Sequence, residues 1–261
     1  MLKSLWRYRN FVFSSIYNEL FSQFVRSKLG GLWVIINPLS QVLIYALILS
    51  NILAAKLPGI DNKYAYAIYL MAGLLGWNLF SDIINRCMIL FIEQANIIKK
   101  MSFPRITLPV IAVGSSIVNN LMLFIAILGI FALLGHQFSL VMLWLIPLTL
   151  LVALFALGLG LILGIVNVFV RDIGQGFTVI LQVWFWFTPI IYPVNIIPER
   201  YLPLMQLNPM YSIVDAYHQI LAYNQTPSFQ SLVTILFIAS GLSIFGLLMF
   251  RKASPEMVDV L

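Results

Sequence analysis

Asn167-Val-Phe-Val-Arg171-Asp172-Ile-Gly-Gln-Gly176, with the run Phe177 to Val194 behind it, decides the fold. A glycine-bearing apolar segment ends at an Arg-Asp pair, and a second apolar segment begins at once. That second segment runs into Trp184-Phe185-Trp186-Phe187-Thr188-Pro189-Ile190-Ile191-Tyr192-Pro193. Two adjacent charges between two membrane-grade segments predict a short water-exposed turn, because charge is costly in hydrocarbon. The aromatic run with its two prolines predicts the far end of the second segment. Aromatic residues collect at the membrane boundary, and proline interrupts a helix.

The rest of the chain has the same character. Of 261 residues, 61% are hydrophobic and 9% are charged, whereas a water-soluble domain carries about 45–50% apolar and about 25% charged residues. A soluble core could not bury that excess, so lipid is the expected solvent. The net charge of +6 does not indicate nucleic acid, because the basic residues are divided among several short loops. The single cysteine, Cys87, excludes an internal disulfide and a cysteine-based zinc site. In its apolar segment it reads as a packed, inert thiol. No cleavable signal peptide is evident in residues 1–30, which hold no unbroken apolar core ending in small residues.

An all-α integral membrane fold follows, since only helices satisfy their own backbone polar groups across lipid at these lengths. Six spans of about 20 residues each are expected near 32–53, 64–91, 106–134, 141–170, 177–192 and 232–250. Ahead of them, Phe13, Ile16, Tyr17, Leu20, Phe21 and Phe24 recur at helical spacing, with Ser14, Ser15, Asn18, Glu19, Ser22 and Gln23 between them. Such a segment suits a membrane surface, its basic residues facing anionic head groups, a cytoplasmic partner, or both. With six spans, both ends share one side. That side collects Lys3, Arg7, Arg9, Arg26, Lys28, Lys99, Lys100, Arg105, Arg171, Arg251 and Lys252, against Lys56, Lys63 and Arg200 opposite. The excess of basic residues makes the shared side cytoplasmic.

Polar residues within the spans are few. In the second, Asn78, Asp82, Asn85 and Arg86 share one helix face, with Asp82 and Arg86 at i,i+4. Intramembrane charges face a bundle interior or a wet cavity, so this stripe is either a pathway wall or a structural ion pair locking helices together. Residues 93–105 mix charge with Ile97 and Ile98 and close at Pro104. They form either an ordinary basic loop or a short helix for a cytoplasmic partner to grip. In the fourth span, Gly160 and Gly164 permit close helix approach. His136, in the turn Gly135 to Ser139, is expected to be solvated at the outer rim. Trp184, Trp186 and Tyr192 fit an interfacial belt or the wall of a passage, where flat rings suit the apolar faces of sugars.

Residues 193–228 hold two helical pieces too short to span, near 201–207 and 211–222, with a break at Asn208-Pro209. Asp215 and His218 can pair locally at i,i+3. The region reads as an outer gate or a lid, and residues 251–261 as a short polar tail. The chain lacks a GxxxxGK[ST] phosphate loop, an HExxH helix and a credible catalytic triad. Binding or transport is therefore favoured over catalysis.

Taken in order, several stretches resemble the ABC-2 type permeases of polysaccharide exporters, which serve lipid-linked O-antigen, teichoic acid and capsule. They are Arg26-Ser-Lys28-Leu-Gly30-Gly31-Leu-Trp33-Val-Ile-Ile-Asn37-Pro38, Gly73-Leu-Leu-Gly76-Trp77, residues 96–104, the Asn167 to Asp172 stretch, Phe187 to Pro193, and Asn208-Pro209. The resemblance covers essentially the whole chain. It implies a single transmembrane domain: an amphipathic interface helix within 1–31, spans one to five over 32–192, gate helices over 193–228, the sixth span over 229–250 and a cytoplasmic tail over 251–261. It implies a homodimer in the bacterial inner membrane with two copies of a separate nucleotide-binding subunit. That subunit would hold ATP and magnesium, leaving this chain without a cofactor. Glu93, Asn96, Ile97, Ile98, Lys99, Lys100 and Arg105 would form the coupling helix. Arg26, Lys28 and Arg171 would meet a lipid head group. Asn78, Asp82, Asn85, Arg86, Trp184, Trp186, Phe187, Tyr192, Tyr201 and Tyr211 would serve a channel or gate. The implied function is export of lipid-linked polysaccharide such as O-antigen. Related alternatives are teichoic acid, capsule or lipo-oligosaccharide. A small-hydrophobic-drug exporter would instead have a closed apolar cavity, and a membrane-embedded transferase would need catalytic polar groups clustered at one leaflet.

Overall fold

The computed structural model describes residues 6–25, 30–53, 64–100 and 104–260. All regular structure among them is helical. The α-helices are α1 (Arg9–Val25), α2 (Trp33–Leu53), α3 (Ala65–Glu93), α4 (Ala95–Lys100), α5 (Thr107–Leu133), α6 (Leu145–Phe169), α7 (Asp172–Trp186), α8 (Leu202–Gln206), α9 (Pro209–Leu221) and α10 (Phe229–Val260). Four stretches, Ala65–Glu93, Thr107–Leu133, Leu140–Phe169 and Phe229–Met257, are long and apolar enough to cross a membrane. These are the second, third, fourth and sixth of the expected spans.

The expected fifth span differs. Its helix α7 begins at Asp172, immediately after the Arg171 turn, and stops at Trp186 after 15 residues. At 1.5 Å per residue that covers about 22 Å, less than the roughly 30 Å of a hydrocarbon core. Pro189 is the reason for the early stop, since proline disfavours helical backbone in the residue before it. Tyr192 therefore lies beyond the helix rather than at its end.

The bundle is built around α3. Of its most apolar stretch, 78% is buried, against 22% for α10, which places α10 at the periphery. The glycines of α6 explain how the bundle closes. A methyl group on Gly160 would lie 2.8 Å from Cys87 Cβ, and one on Gly164 would strike the Cys87 carbonyl oxygen. A methyl on Gly158 would lie 2.6 Å from the Ser243 backbone nitrogen. Helix α6 thus runs almost backbone to backbone with α3 on one side and α10 on the other. Ser243 adds a 2.8 Å hydrogen bond to the Leu154 carbonyl. In lipid, where apolar surface gains little by hiding from tails, such close packing is what holds helices together.

The polar tail expected at 251–261 is instead the last turns of α10, which continues to Val260 through Pro255. An internal proline costs a helix about 3 kcal/mol. Docking of the extension opposes that cost. Phe250 and Met257 are buried in a satellite cluster with Phe91, Ile98, Ile106 and Leu108. The Phe91 and Phe250 rings stack at 5.6 Å, and Arg105 donates to the Ser254 carbonyl and, at 2.9 Å, to its hydroxyl. These contacts put α1, α4 and the last turns of α10 at one end of the bundle, because Glu19 of α1 also bonds Arg86 and Ser115. The turn at Gly135, with φ +70°, and helices α8 and α9 occupy the other end. His136 in that turn is not freely solvated. Its ring packs edge-on against Phe131 at 5.0 Å, and its Nε2 is buried with no hydrogen-bond partner among the described residues.

Candidate functional site

The polar stripe of α3 forms as expected, with one partner more. Arg86 Nε reaches both Asp82 oxygens at 3.1 Å, and Arg86 Nη1 pairs with Glu19. The second Glu19 oxygen accepts from Ser115 of α5 at 2.7 Å. Glu19 falls between the apolar residues of α1 and was expected on its wetter face. It instead points into the bundle, while Phe13, Tyr17 and Phe21 form an exposed ridge. Its signal was present in the sequence, as the one carboxylate in a basic N-terminal segment. A lone acid beside an intramembrane arginine is a pairing candidate.

Two cavities meet along this stripe. One, of 480 Å³, lies between α2, α3 and α5 and is bordered by Trp33, Asn37, Asn78, Asp82, Arg86, Ser116 and Asn119. The other, of 360 Å³, lies between α2, α3 and α7 and is bordered by Gln41, Tyr45, Trp77, Phe185 and Trp186. Asn78, Ser81 and Asn85 line both. Asn120 also lines the first cavity, its amide donating to the Leu75 carbonyl at 2.9 Å.

The end of α7 joins the short helices through Asn208. Its Oδ1 accepts from Trp184 Nε1 at 2.8 Å and from the Met210 amide at 3.0 Å, capping α9. Its Nδ2 donates to Thr188 Oγ1 at 2.9 Å. Pro209 then opens α9 at a position that needs no amide donor. Two side chains of α3 hold the segment after α7, Tyr66 donating to the Ile191 carbonyl at 2.8 Å and Tyr69 reaching the Pro189 and Tyr192 carbonyls at 3.4 Å, and Thr188 of that segment donates back to the Trp184 carbonyl of α7 at 2.9 Å. Asn208→Ala should destabilise the solubilised chain by about 1–3 kcal/mol and so lower its unfolding midpoint, because it removes a cap and leaves the Trp184 donor half-buried and unpaired. A thermal melt followed by size-exclusion checks this, and an unchanged midpoint would refute the hub.

Helix α9 docks on the Gly73-Leu-Leu-Gly76 face of α3. A methyl on Gly76 would lie 2.6 Å from the Tyr217 ring, and one on Gly73 would lie 2.6 Å from His218 Nε2. The expected Asp215–His218 pair does not form. His218 stacks on Tyr69 with ring centroids 3.6 Å apart, and Asp215 accepts from Gln219 at 2.6 Å. One helical turn separates Asp215 from Gln219, whereas the imidazole faces α3. Burial pushes His218 down to about 3, so it is uncharged. Burial also raises the Asp215 carboxyl above the ordinary range, partly offset by Gln219.

The other predicted site residues separate into groups. Trp186 borders the 360 Å³ cavity. Trp184, Phe187 and Tyr201 border a third, apolar cavity of 440 Å³ beside α8. Trp184 also packs edge-on to Phe80 at 5.2 Å, so much of its ring belongs to the core. Tyr192 donates to the Trp186 carbonyl at 2.8 Å. Tyr211 is half-buried and lines none of these three cavities. Residues 95–100 are the helix α4, with Ile98 buried and Glu93, Asn96 and Lys99 exposed around it. Ile97 and Lys100 belong to the same helix. Arg105 is turned onto Ser254. Arg171 is exposed at the α6–α7 turn, and Arg26 and Lys28 lie outside the described residues.

A family model described as ABC-2 type transporter matches residues 12–222. The chain is 28% identical to an O-antigen export system permease protein RfbA of Myxococcus xanthus, over 99% of this chain and 98% of the relative. A protein of the same name from Klebsiella pneumoniae is 28% identical over 93% of this chain and 92% of its own. The polysialic acid transport protein KpsM of Escherichia coli is 25% identical over 76% of this chain and 75% of its own.

Proposed function

This chain belongs to the ABC-2 type transporter family, and from that membership we propose that it is the membrane permease subunit of an exporter of lipid-linked polysaccharide of the O-antigen kind. The observation that carries the reading is the near end-to-end match to O-antigen export permeases, which leaves no large part of this chain to serve another purpose. The polar and aromatic cavities beside α3 agree with a glycan cargo better than a closed apolar cavity would. Capsule-type cargo is the second reading, supported by the shorter match to KpsM.

In this reading α2, and α7 together with the segment that follows it to Pro193, complete a six-span subunit, and two subunits form a homodimer. The end bearing α1, α4 and the close of α10 faces the cytoplasm of a bacterial inner membrane, in line with its basic residues. Two copies of an ATP- and magnesium-binding subunit dock there. The outer gate is the 193–228 segment, with α9 held against α3. Arg26, Lys28 and Arg171 supply cationic contacts for a phosphorylated lipid head group. Trp186, Phe187, Tyr201 and Tyr211 face the glycan on its way out.

Helix α4 is the coupling element. Its buried Ile98 packs with Phe91 of α3 and Phe250 and Met257 of α10, and the Arg105–Ser254 bonds tie the approach to α5 onto α10, so a push on α4 is passed to two long helices rather than absorbed by a loop. Its exposed Asn96 and Lys99, with Glu93 at the close of α3, are left to a partner. Lys99→Glu with Lys100→Glu should cut ATPase stimulation and surface glycan by about tenfold or more, since reversing charges at an interface costs several kcal/mol. Membrane levels of the permease should be unchanged. ATPase assays on the co-purified complex and glycan blots check this, and normal values for both would overturn the coupling role.

A further inference from the structure

The 480 Å³ cavity between α2, α3 and α5 holds an unusual set of groups for its depth. Asn78 stands midway along α3, and Ser116 and Asn119 stand near the middle of α5. Asn78 Nδ2, Ser116 Oγ and Asn119 Oδ1 are buried with no hydrogen-bond partner among the described residues, and Ser116 and Asn119 are only 1% and 7% exposed. All three residues line this one cavity. Lipid tails cannot satisfy them, and each unpaired group in such surroundings costs free energy that a polar occupant would remove. The volume lies in the range of about 300–1,000 Å³ typical of ligand sites.

The chemistry selects the occupant. Together the three groups offer a donor, an acceptor and a hydroxyl that serves as either, which is the complement of a polyol. The charges do not favour an anion. Arg86 is already matched by Glu19 and Asp82, so among the described residues this trio sums to one negative charge, which disfavours a phosphate. The adjoining 360 Å³ cavity, which shares Asn78, Ser81 and Asn85, adds the rings of Tyr45, Trp77 and Trp186. Aromatic faces beside amides suit a sugar ring, with its apolar faces and polar edge.

We propose that this cavity is a saccharide-binding pocket within a single subunit, taking an uncharged sugar residue of the cargo and excluding its phosphate. The proposal deepens the export reading and rests on it for the source of the sugar.

The test uses the full chain in lipid nanodiscs and a photoactivatable alkyl glucoside as probe. Label is expected on the α3 and α5 peptides that carry Asn78 and Asn119. An excess of decyl maltoside should suppress it, and an equal excess of decyl phosphate should not. Asn119→Leu replaces an acceptor that has no partner to lose among the described residues, so the fold is kept, and labelling should fall by about five- to tenfold, the worth of one hydrogen bond. Asn78→Leu is the second variant, with the same expectation. Labelling that survives both variants, or is suppressed equally by decyl phosphate, overturns the pocket. A wild-type chain that restores surface glycan to a deletion strain yet takes no label refutes the pocket and leaves the export reading intact. One that takes the label as described but fails to restore glycan refutes the export reading and leaves the pocket.

Discussion

Arg86→Met is expected to destabilise the solubilised chain by about 2–3 kcal/mol and to abolish export. Removing one partner from a buried ion pair costs about 3–5 kcal/mol, because the other charge is left uncompensated. The figure is discounted here because the Arg86, Glu19 and Asp82 side chains keep 24%, 34% and 40% of their exposure. Two carboxylates would still be stranded beside each other in the bundle. The loss reaches beyond α3, since Arg86 ties α1 to the bundle through Glu19, whose other oxygen is held by Ser115. Glu19→Gln with Asp82→Asn in the Arg86→Met background removes the stranded charges and should recover most of the stability, because neutralising every member of a pair is far cheaper than removing one. Denaturant titration in detergent and glycan blots measure the two effects separately. Stability recovered without export would show that the α1–α3 tie serves movement as well as folding. Full export by Arg86→Met alone would refute a role for the tie.

Local spacing made part of this network legible and distance hid the rest. Asp82 and Arg86 are one helical turn apart, so their pairing follows from helix geometry. Glu19 lies 67 residues away, and no periodicity in α1 ties it to α3. The apolar repeat of α1 is real, yet it divides: Phe13, Tyr17 and Phe21 form a ridge facing outward, while Ile16 packs on Gly114 of α5 and Val12 is buried. The glycines show the same division. Gly160 and Gly164 announce a close contact, and the structure supplies Cys87 as its partner. Gly158 belongs to a second contact with α10 that spacing alone merges into the first. Asn208-Pro209 was readable as a helix start, because asparagine caps and proline suits the first turn. Its bond to Trp184 was not, since it joins residues 24 apart across a turn. The helical tail of α10 was hidden by its charges and Pro255. What sustains it is tertiary, the burial of Met257 against Ile98 and the Arg105–Ser254 bonds.

Gly76→Ala should displace α9 and impair both stability and export, although it adds one methyl group. That methyl would lie 2.6 Å from two Tyr217 ring atoms, and Tyr217 is fully buried, with no room to withdraw. Overpacking of this kind costs about 1–3 kcal/mol. Gly73→Ala meets the His218 ring together with Ile190, including its backbone oxygen at 3.2 Å, so the two substitutions push on adjacent residues of α9 and their effects should reinforce. Gly129→Ala is the control, because nothing lies within 4 Å of its added methyl, and alanine is the better helix former. If the damage comes from the collision, shrinking the opposing ring must relieve it. Tyr217→Leu in the Gly76→Ala background should therefore be more stable than Gly76→Ala alone, by about 1 kcal/mol or more, despite the apolar area lost. Melting curves of the four variants in detergent decide the matter. A Gly76→Ala chain as stable as the Gly129→Ala control would mean that α9 does not rest on α3 in this way.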